Sequence, residues 1–142
     1  MNRSARILIV EDQYFVAIDS EMHLRSAGFE CVGLAATAQQ AVQLACECKP
    51  DLVLMDIRLA GESDGVQAAI DIYRDCGIRS IFTSGHADGV VREQTCKAEP
   101  LGWLDKPYSN ADLVRAVSEG LSQVESTEDN SARSPSSRAT IQ

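Results

Sequence analysis

Residues 52–64 read LVLMDIRLAGESD. The apolar run Leu52–Met55 has the length and composition of a buried strand. It leads directly into Asp56 and then into a polar stretch that contains glycine. A buried strand that ends on a carboxylate raises the question of what that charge does at the edge of a sheet.

Similar apolar runs recur along the chain and alternate with amphipathic stretches. Most are rich in Val, Ile and Leu, as expected for strands that are covered on both faces. The five runs are Arg6–Val10, Cys31–Ala35, Leu52–Met55, Ser80–Thr83 and Gly102–Leu104. Because strands alternate with helical stretches, the pattern predicts an α/β protein with a parallel sheet, right-handed crossovers and helices on both faces.

The stretches between the runs carry the start and stop patterns of helices. Phe15, Ile18 and Met22 follow helical spacing in the first stretch, and Gly28 is placed to cap its end. Capping-box patterns open two others, TAQQ at residues 37–40 and SNAD at residues 109–112. The predicted helices span residues 13–27, 37–48, 64–75, 88–97 and 109–121, the fourth of them opening at Asp88.

Composition sets the domain organisation. The chain has 142 residues, of which 44% are hydrophobic and only 5% aromatic, so one domain with a mostly aliphatic core is expected. From about Ser122 the sequence becomes rich in Ser and charged residues and almost loses apolar ones. Such a segment buries too little surface to stay ordered, so we expect an ordered domain over residues 5–121 and a disordered tail over residues 122–142.

The charge balance excludes several classes of function. Lys and Arg total 13 against 21 Asp and Glu, which gives a formal charge of −8. An acidic chain without a basic cluster argues against direct nucleic-acid binding and against binding to an anionic membrane surface. The N-terminal apolar run stops at Glu11, and no run approaches the roughly 20 apolar residues of a spanning helix. We therefore expect a cytoplasmic protein without membrane insertion.

The cysteines give a weaker prediction. Their odd number, without a secretory segment, argues against a disulfide framework. The five are Cys31, Cys46, Cys48, Cys76 and Cys96. We expect reduced and mostly buried thiols, with a metal site at the C-x-C of residues 46–48 as the alternative.

Polar residues stand where the predicted strands end. In a doubly wound parallel sheet, ligands bind at the carboxyl ends of the strands. Carboxylates that converge there would raise one another's pKa, and Mg²⁺ would resolve the conflict because it prefers oxygen ligands. A carboxylate, a metal, a lysine and a hydroxyl together suit phosphoryl transfer. The strand-end residues are Glu11, Asp12, Asp56, Thr83, Ser84, Asp105 and Lys106.

The strand-end motifs, in this order and spacing, resemble the receiver domain of two-component response regulators. The motifs are ED (Glu11-Asp12), MD (Met55-Asp56), TSG (Thr83-Ser84-Gly85) and KP (Lys106-Pro107). The stretches IFTSGHAD and EPLGWLDKPY also resemble the FATGUY group of receivers, many of which stand alone. The resemblance covers about residues 5–121. It implies a flavodoxin-like doubly wound (βα)5 sandwich with strand order 2-1-3-4-5.

The resemblance also implies a reaction and its metal. Asp56 would accept a phosphoryl group from a histidine kinase or a histidine phosphotransfer protein. Asp12 and Asp56 would bind Mg²⁺, Glu11 would assist, and the backbone carbonyl of Arg58 would supply a further ligand. The chain would act as a phosphoacceptor and not as a turnover enzyme. Lys106 would contact the phosphoryl group.

Further residues would transmit the change. The Lys106-Pro107 peptide would be cis. Ser84 would sense the phosphoryl group through its hydroxyl. Trp103 stands where receivers often carry a switching aromatic, and core packing without switching is the alternative. The signal would pass to a downstream protein partner, and the chain would be a monomer or a dimer, through the face of the fourth helix, fifth strand and fifth helix.

Two other functions are compatible with parts of this pattern. A phosphohydrolase of the haloacid-dehalogenase type also uses an Asp after a strand, but it needs D-x-D, and Arg58 stands two residues after Asp56. An interaction module could keep the fold and signal without phosphorylation, although the complete acidic set argues against this.

Overall fold

The computed structural model describes residues 4–59, 65–85 and 93–133. Over these residues five strands form one parallel sheet in the order β2-β1-β3-β4-β5, which confirms the predicted topology. Each strand agrees with its predicted apolar run to within one residue. The strands are β1 (Arg6–Val10), β2 (Glu30–Ala35), β3 (Leu52–Asp56), β4 (Ser80–Ser84) and β5 (Gly102–Asp105).

Helices connect the strands as predicted. They are α1 (Tyr14–Ser26), α2 (Ala38–Cys48), α3 (Gly65–Cys76), a 3-10 segment (Thr95–Ala98) and the C-terminal helix (Asn110–Arg133). The predicted start of the fourth helix, at Asp88, lies outside the described residues. Its described end is the 3-10 segment, one residue beyond the predicted end. None of the helices in the described part of the chain is long and apolar enough to cross a membrane.

The predicted helix caps are present. The side chain of Thr37 accepts a hydrogen bond from the backbone N–H of Gln40 at 3.1 Å. Ser109 Oγ accepts one from the backbone N–H of Asp112 at 3.0 Å. Gly28 follows α1 with a φ of 100°, a conformation that a residue with a side chain rarely adopts.

The sheet is covered on both faces by separate apolar cores. Successive strand residues point to opposite faces, so each strand contributes to both cores. Val53 and Phe82 pack with α2 and α3 on one face, whereas Leu54 and Ile81 pack with α1 and the C-terminal helix on the other. This double burial explains why the strands are almost continuously apolar and why their charged residues stand at the ends.

The orientation of α1 differs from the prediction. Helical spacing of Phe15, Ile18 and Met22 suggested an apolar side of this helix, but Phe15 and Met22 are 84% and 59% exposed. Ala17 and Leu24 are buried instead. Apolar residues occur all round this helix, so spacing alone does not select the buried side. Ala17 packs in the core shared with the C-terminal helix, and the large side chains of Tyr14, Phe15 and Met22 are left in solvent.

The C-terminal helix is longer than predicted. It runs to Arg133, well past the expected start of disorder. Gln123 Nε2 donates a hydrogen bond to the carbonyl oxygen of Leu101 at 2.8 Å, and Val124 packs against the core shared with α1. These contacts join the polar segment after Ser122 to the domain. Composition alone does not predict them. The predicted disorder of residues 134–142 lies outside the described residues.

The expectation that most cysteines are buried is wrong. Cys31 is buried, but Cys46 and Cys96 are exposed, and Cys48 and Cys76 are intermediate. The two thiols of the C-x-C diverge. Cys46 Sγ lies against Cys76 Sγ of α3, whereas Cys48 Sγ approaches a backbone carbonyl of β2. Because they point to different partners, the geometry does not support the alternative of a metal site on this pair.

Candidate functional site

The acidic residues that were predicted to converge do meet at one edge of the sheet. Asp56 is the last residue of β3, and Glu11 directly follows β1, the neighbouring strand. The strand order reverses between β1 and β3, because β2 lies on the other side of β1. Ligands bind at such switch points in open α/β sheets. Carboxylate oxygens of Glu11, Asp12 and Asp56 lie within 4.8 Å of one another.

Backbone amides hold two of the three carboxylates. Asp56 and Glu11 are 4% and 6% exposed, so their oxygens have little access to bulk water. Asp56 Oδ1 accepts a hydrogen bond from the backbone N–H of Arg58 at 3.1 Å. Glu11 Oε2 accepts one from the backbone N–H of Gln13 at 3.2 Å. Each bond fixes one oxygen of its carboxylate and leaves the other for the centre of the site.

Lys106 occupies that centre. Its Nζ donates hydrogen bonds to Glu11 Oε1 at 2.8 Å and to Asp56 Oδ2 at 3.0 Å. Its backbone N–H donates to the carbonyl oxygen of Ser84 at 2.7 Å, which ties the end of β5 to the end of β4. The Lys106-Pro107 peptide bond is cis, as predicted.

Burial and charge compete in this cluster. Burial raises the pKa of Glu11, the hydrogen bond from Lys106 opposes the rise, and the charge of Asp56 adds to it. Burial alone would lower the pKa of Lys106, but hydrogen bonds with Glu11 and Asp56, and their charges, outweigh it and the pKa is raised. The cluster contains one ammonium group, that of Lys106, and three carboxyl groups. The excess of acidic oxygen donors fits a hard divalent cation such as Mg²⁺.

Gly65, the second residue of the helix predicted over residues 64–75, packs against the end of the strand that carries Asp56. A Cβ atom at this position would overlap the carbonyl oxygen of Asp56. The backbone N–H of Gly65 also donates to the carbonyl oxygen of Ile57 at 2.9 Å. Glycine thus lets α3 begin directly against the end of β3. The sequence pattern that could have indicated this contact is a glycine at the first position of the helix that follows Asp56.

The two residues predicted to transmit a signal lie on β4 and β5. Ser84 ends β4, one residue beyond the partner of Asp56 in the parallel pair, so it lies at the same edge of the sheet as Asp56. Trp103 is partly buried and stacks on Phe82, with ring centroids 5.1 Å apart and planes at 28°. The stacking shows that Trp103 packs against the core. Switching by Trp103 and sensing by Ser84 stay predictions.

A groove beside the carboxylates was not anticipated. It lies between the start of α1 and the segment after β5, and its volume is about 540 Å³. Phe15, which is 84% exposed, lines the groove, and Tyr14, which is 66% exposed, contacts Phe15 edge to face. Ser20 Oγ and Tyr108 Oη share a hydrogen bond of 3.1 Å within it. The aromatic pair Tyr14-Phe15, one residue after Glu11-Asp12, was the sequence pattern that could have indicated this surface.

Comparisons with known proteins identify relatives along most of the chain. The family model described as response regulator receiver domain matches residues 7–118. The transcriptional regulatory protein PdtaR of Mycobacterium tuberculosis is 34% identical over 83% of this chain and 57% of its own length. The chemotaxis protein CheY of Thermotoga maritima is 30% identical over 79% of this chain and 93% of its own length. The chain thus spans about half of the first relative and nearly all of the second.

Solved structures agree with the fold. The N-terminal domain of a response regulator/sensory box/GGDEF protein from Carboxydothermus hydrogenoformans superposes with a TM-score of 0.78 at 31% identity, over 86% of this chain and 98% of that one. A CheY-like receiver domain protein from Methanospirillum hungatei shares the fold, with a TM-score of 0.80 at 24% identity over 87% and 98% of the two chains. The sheet order, the acidic edge and the match over residues 7–118 lead to one conclusion: the chain belongs to the response regulator receiver domain family.

Proposed function

We propose that this chain is the phosphoryl-accepting receiver of a two-component phosphorelay. Asp56 takes a phosphoryl group from a histidine kinase or a histidine phosphotransfer protein, with Mg²⁺, and the phosphorylated domain signals to a protein partner. The placement of Asp56 carries the proposal. It is a buried carboxylate at the end of a central strand, with one oxygen bonded to the backbone N–H of Arg58 and the other to Lys106.

The proposed reaction transfers the group between side chains. A carboxylate oxygen of Asp56 attacks phosphorus, the bond from phosphorus to the donor's imidazole nitrogen breaks, and an acyl phosphate forms. Lys106 Nζ, 3.0 Å from Asp56 Oδ2, is close enough to follow the added negative charge. The residues that would hold Mg²⁺ are Glu11, Asp12, Asp56 and the backbone carbonyl of Arg58. When bound, the ion neutralises charge on the transferred phosphoryl oxygens.

The donor protein has to bring its histidine to this edge of the sheet. The groove next to Lys106, lined by the exposed Phe15, is an apolar surface beside the proposed phosphoacceptor site. Exposed aromatic side chains are enriched at protein interfaces and often dominate their affinity. We therefore assign this groove to docking of the phosphodonor protein.

The response is transmitted from the end of β4 to β5. The Ser84 hydroxyl contacts the phosphoryl group, and the hydrogen bond from the Lys106 backbone to the Ser84 carbonyl couples the two strands. A shift between two pre-existing states then alters the face that includes β5 and the C-terminal helix. The downstream protein, or a second copy of the chain, binds this face. Trp103 on β5 is placed to report the change.

Intact-mass spectrometry after incubation with phosphoramidate and Mg²⁺ tests the proposal. We expect one phosphoryl adduct on the wild type and on Asp75→Asn, an exposed acid remote from the site, and none on Asp56→Asn. EDTA should prevent the adduct. If the wild type binds Mg²⁺ but gives neither an adduct nor inorganic phosphate, the domain is a phosphorylation-independent interaction module and the proposal is wrong. Phosphate release that requires Asp56 would instead indicate a short-lived acyl phosphate.

A further inference from the structure

A pair of thiols lies between α2 and α3, away from the carboxylates. Cys46 Sγ is 3.1 Å from Cys76 Sγ. A disulfide bond is about 2.05 Å long, so about 1 Å of movement would join the two sulfurs. Cys46 is exposed and Cys76 is intermediate in burial, so reagents in solution can reach the pair. The function proposed above uses neither residue.

The position of the pair separates it from the phosphoryl site. Cys46 lies in the last turn of α2, and Cys76 is the last residue of α3. Helices that connect parallel strands run back along the sheet, so their ends lie at the edge opposite to Asp56. Consistently, Cys76 borders a cavity of about 210 Å³ together with Asp51 and Arg79, which precede β3 and β4.

We infer that Cys46 and Cys76 form a reversible disulfide by exchange with a low-molecular-weight disulfide such as oxidised glutathione. The Cys46 thiolate attacks one sulfur of oxidised glutathione, and a glutathione thiolate leaves. The Cys76 thiolate then attacks Cys46 Sγ, and the second glutathione thiolate leaves. Two protein sulfurs are oxidised, two glutathione sulfurs are reduced, and the two protons of the protein thiols pass to glutathione.

The order of the two attacks follows from the environments of the thiols. Burial, and then the hydrogen bond with Cys46, raise the pKa of Cys76 to about 11. Cys76 is therefore a poor first nucleophile near neutral pH, because the thiolate is the reactive form. The exposed Cys46 reacts first, and Cys76 resolves the mixed disulfide because it already lies in contact.

The crosslink has a structural consequence. It closes a loop from Cys46 to Cys76 that contains β3 and α3, and it joins the two helices that cover one face of the sheet. A covalent loop reduces the freedom of the unfolded chain, so oxidation should raise the midpoint of thermal unfolding. In a glutathione pool that is mostly reduced the pair stays as thiols, so the crosslink would respond to the redox state of the surroundings.

Peptide mapping tests the inference on the full chain. The protein is incubated with oxidised glutathione, remaining thiols are blocked with N-ethylmaleimide in denaturant so that the buried Cys31 also reacts, and the digest is analysed by mass spectrometry. We expect a peptide pair joined through Cys46 and Cys76, blocked thiols at the other three of the five cysteines, and full reversal by dithiothreitol. The thermal midpoint should rise on oxidation and return on reduction.

Single substitutions separate this crosslink from other oxidation products. Cys76→Ser should stop at a mixed disulfide of Cys46 with glutathione, and its thermal midpoint should not rise. Cys48→Ser, a matched change on the same helix, should keep the crosslink. Circular dichroism confirms that both variants are folded. A wild type that stops at the mixed disulfide, or that links through Cys48, Cys96 or a second chain, would overturn the inference.

Discussion

Asp56 and Gly65 meet through their main chains, and a Cβ atom at position 65 would overlap the carbonyl oxygen of Asp56. The strand that ends on the carboxylate and the helix that follows it are therefore in direct contact. The hydrogen bond from Gly65 to the carbonyl oxygen of Ile57, at 2.9 Å, fixes the same junction. The proposed phosphoacceptor is thus positioned by β3 on one side and by the first residue of α3 on the other.

Gly65→Ala should disturb this junction. The added methyl group has to displace either the start of α3 or the end of β3. We expect a loss of about 1–3 kcal/mol in the free energy of unfolding and a lower yield of the Asp56 adduct. Urea denaturation and intact-mass spectrometry measure the two effects. Gly102→Ala is the control, because a Cβ there meets no atom within 4 Å; equal stability of the two variants would contradict the steric explanation.

Lys106→Met should show how far the lysine balances the acidic cluster. Without Mg²⁺, loss of the ammonium leaves Glu11 and Asp56 without their charged partner, at a cost of about 1–3 kcal/mol in the free energy of unfolding. Mg²⁺ should stabilise the variant more than the wild type, because more negative charge is left for the ion to neutralise. Urea denaturation with and without Mg²⁺ measures both quantities.

The control for this variant is Arg74→Met. Arg74 forms its ion pairs with Asp71 and Asp75 at a surface where its side chain is 63% exposed. Exposed pairs contribute little, so its stability should change by no more than about 0.5 kcal/mol. If Mg²⁺ stabilises Lys106→Met and the wild type by equal amounts, Lys106 does not offset the charge that the ion neutralises.

Binding of Mg²⁺ should depend on pH through Glu11. Burial, and the charge of Asp56, raise the pKa of Glu11 against the hydrogen bond from Lys106. The ion-free folded state therefore holds this proton more tightly than the unfolded state. The contribution of Glu11 to the free energy of unfolding falls as the pH rises through the interval from the unfolded to the folded pKa. Mg²⁺ needs the ionised form, so its affinity should fall as the pH is lowered through the raised pKa.

Fluorescence of Trp103, the single tryptophan of the chain, provides the titration signal. Mg²⁺ titrations at a series of pH values above the ordinary glutamate pKa, which is near 4.3, should give weaker binding at the acidic end of the series. Glu11→Gln should flatten this dependence, and Asp12→Asn should weaken binding at every pH. The same pH dependence in Glu11→Gln as in the wild type would assign the proton to another group.

The sequence predicts features that depend on neighbouring residues in the chain, and it does not predict those that depend on contacts between distant residues. The strand Leu52–Asp56 and its terminal carboxylate were predictable, because burial on both faces requires an apolar run and places charge at its end. The buried side of α1 was not, because Phe15 and Ala17 are both apolar and only the distance to the sheet decides between them. The close approach of Gly65 to Asp56 is likewise a three-dimensional contact: the sequence shows a glycine at the start of the helix but not the atom that its missing side chain would meet.

The end of the ordered domain is testable by truncation. A chain that stops after residue 121 loses the hydrogen bond from Gln123 to the carbonyl oxygen of Leu101 and the packing of Val124. We expect its free energy of unfolding to fall by about 1–2 kcal/mol. A chain that stops after residue 126 keeps both contacts and should match the full chain to within about 0.5 kcal/mol. If urea denaturation gives the two truncated chains equal stability, the ordered domain ends at residue 121, as composition predicted.

Phe15→Ala should separate docking of a protein donor from chemistry at Asp56. Phe15 is 84% exposed, so its removal should leave stability unchanged to within about 0.5 kcal/mol. Phosphorylation by phosphoramidate, which needs no docking surface, should proceed at the wild-type rate. Transfer from a phosphorylated histidine phosphotransfer domain that serves the wild type should slow by about 10-fold, the effect of losing an aromatic contact worth about 1.4 kcal/mol.

Met22→Ala provides the matched control for that experiment. Met22 is 59% exposed on the same helix but does not line the groove beside Lys106. Its loss should therefore slow neither donor. Rates fitted from single-turnover transfer, with both donors and all three proteins, decide the matter. If Phe15→Ala slows phosphoramidate as much as the protein donor, the residue acts on the reacting groups themselves; if it slows neither, the phosphodonor docks on another surface.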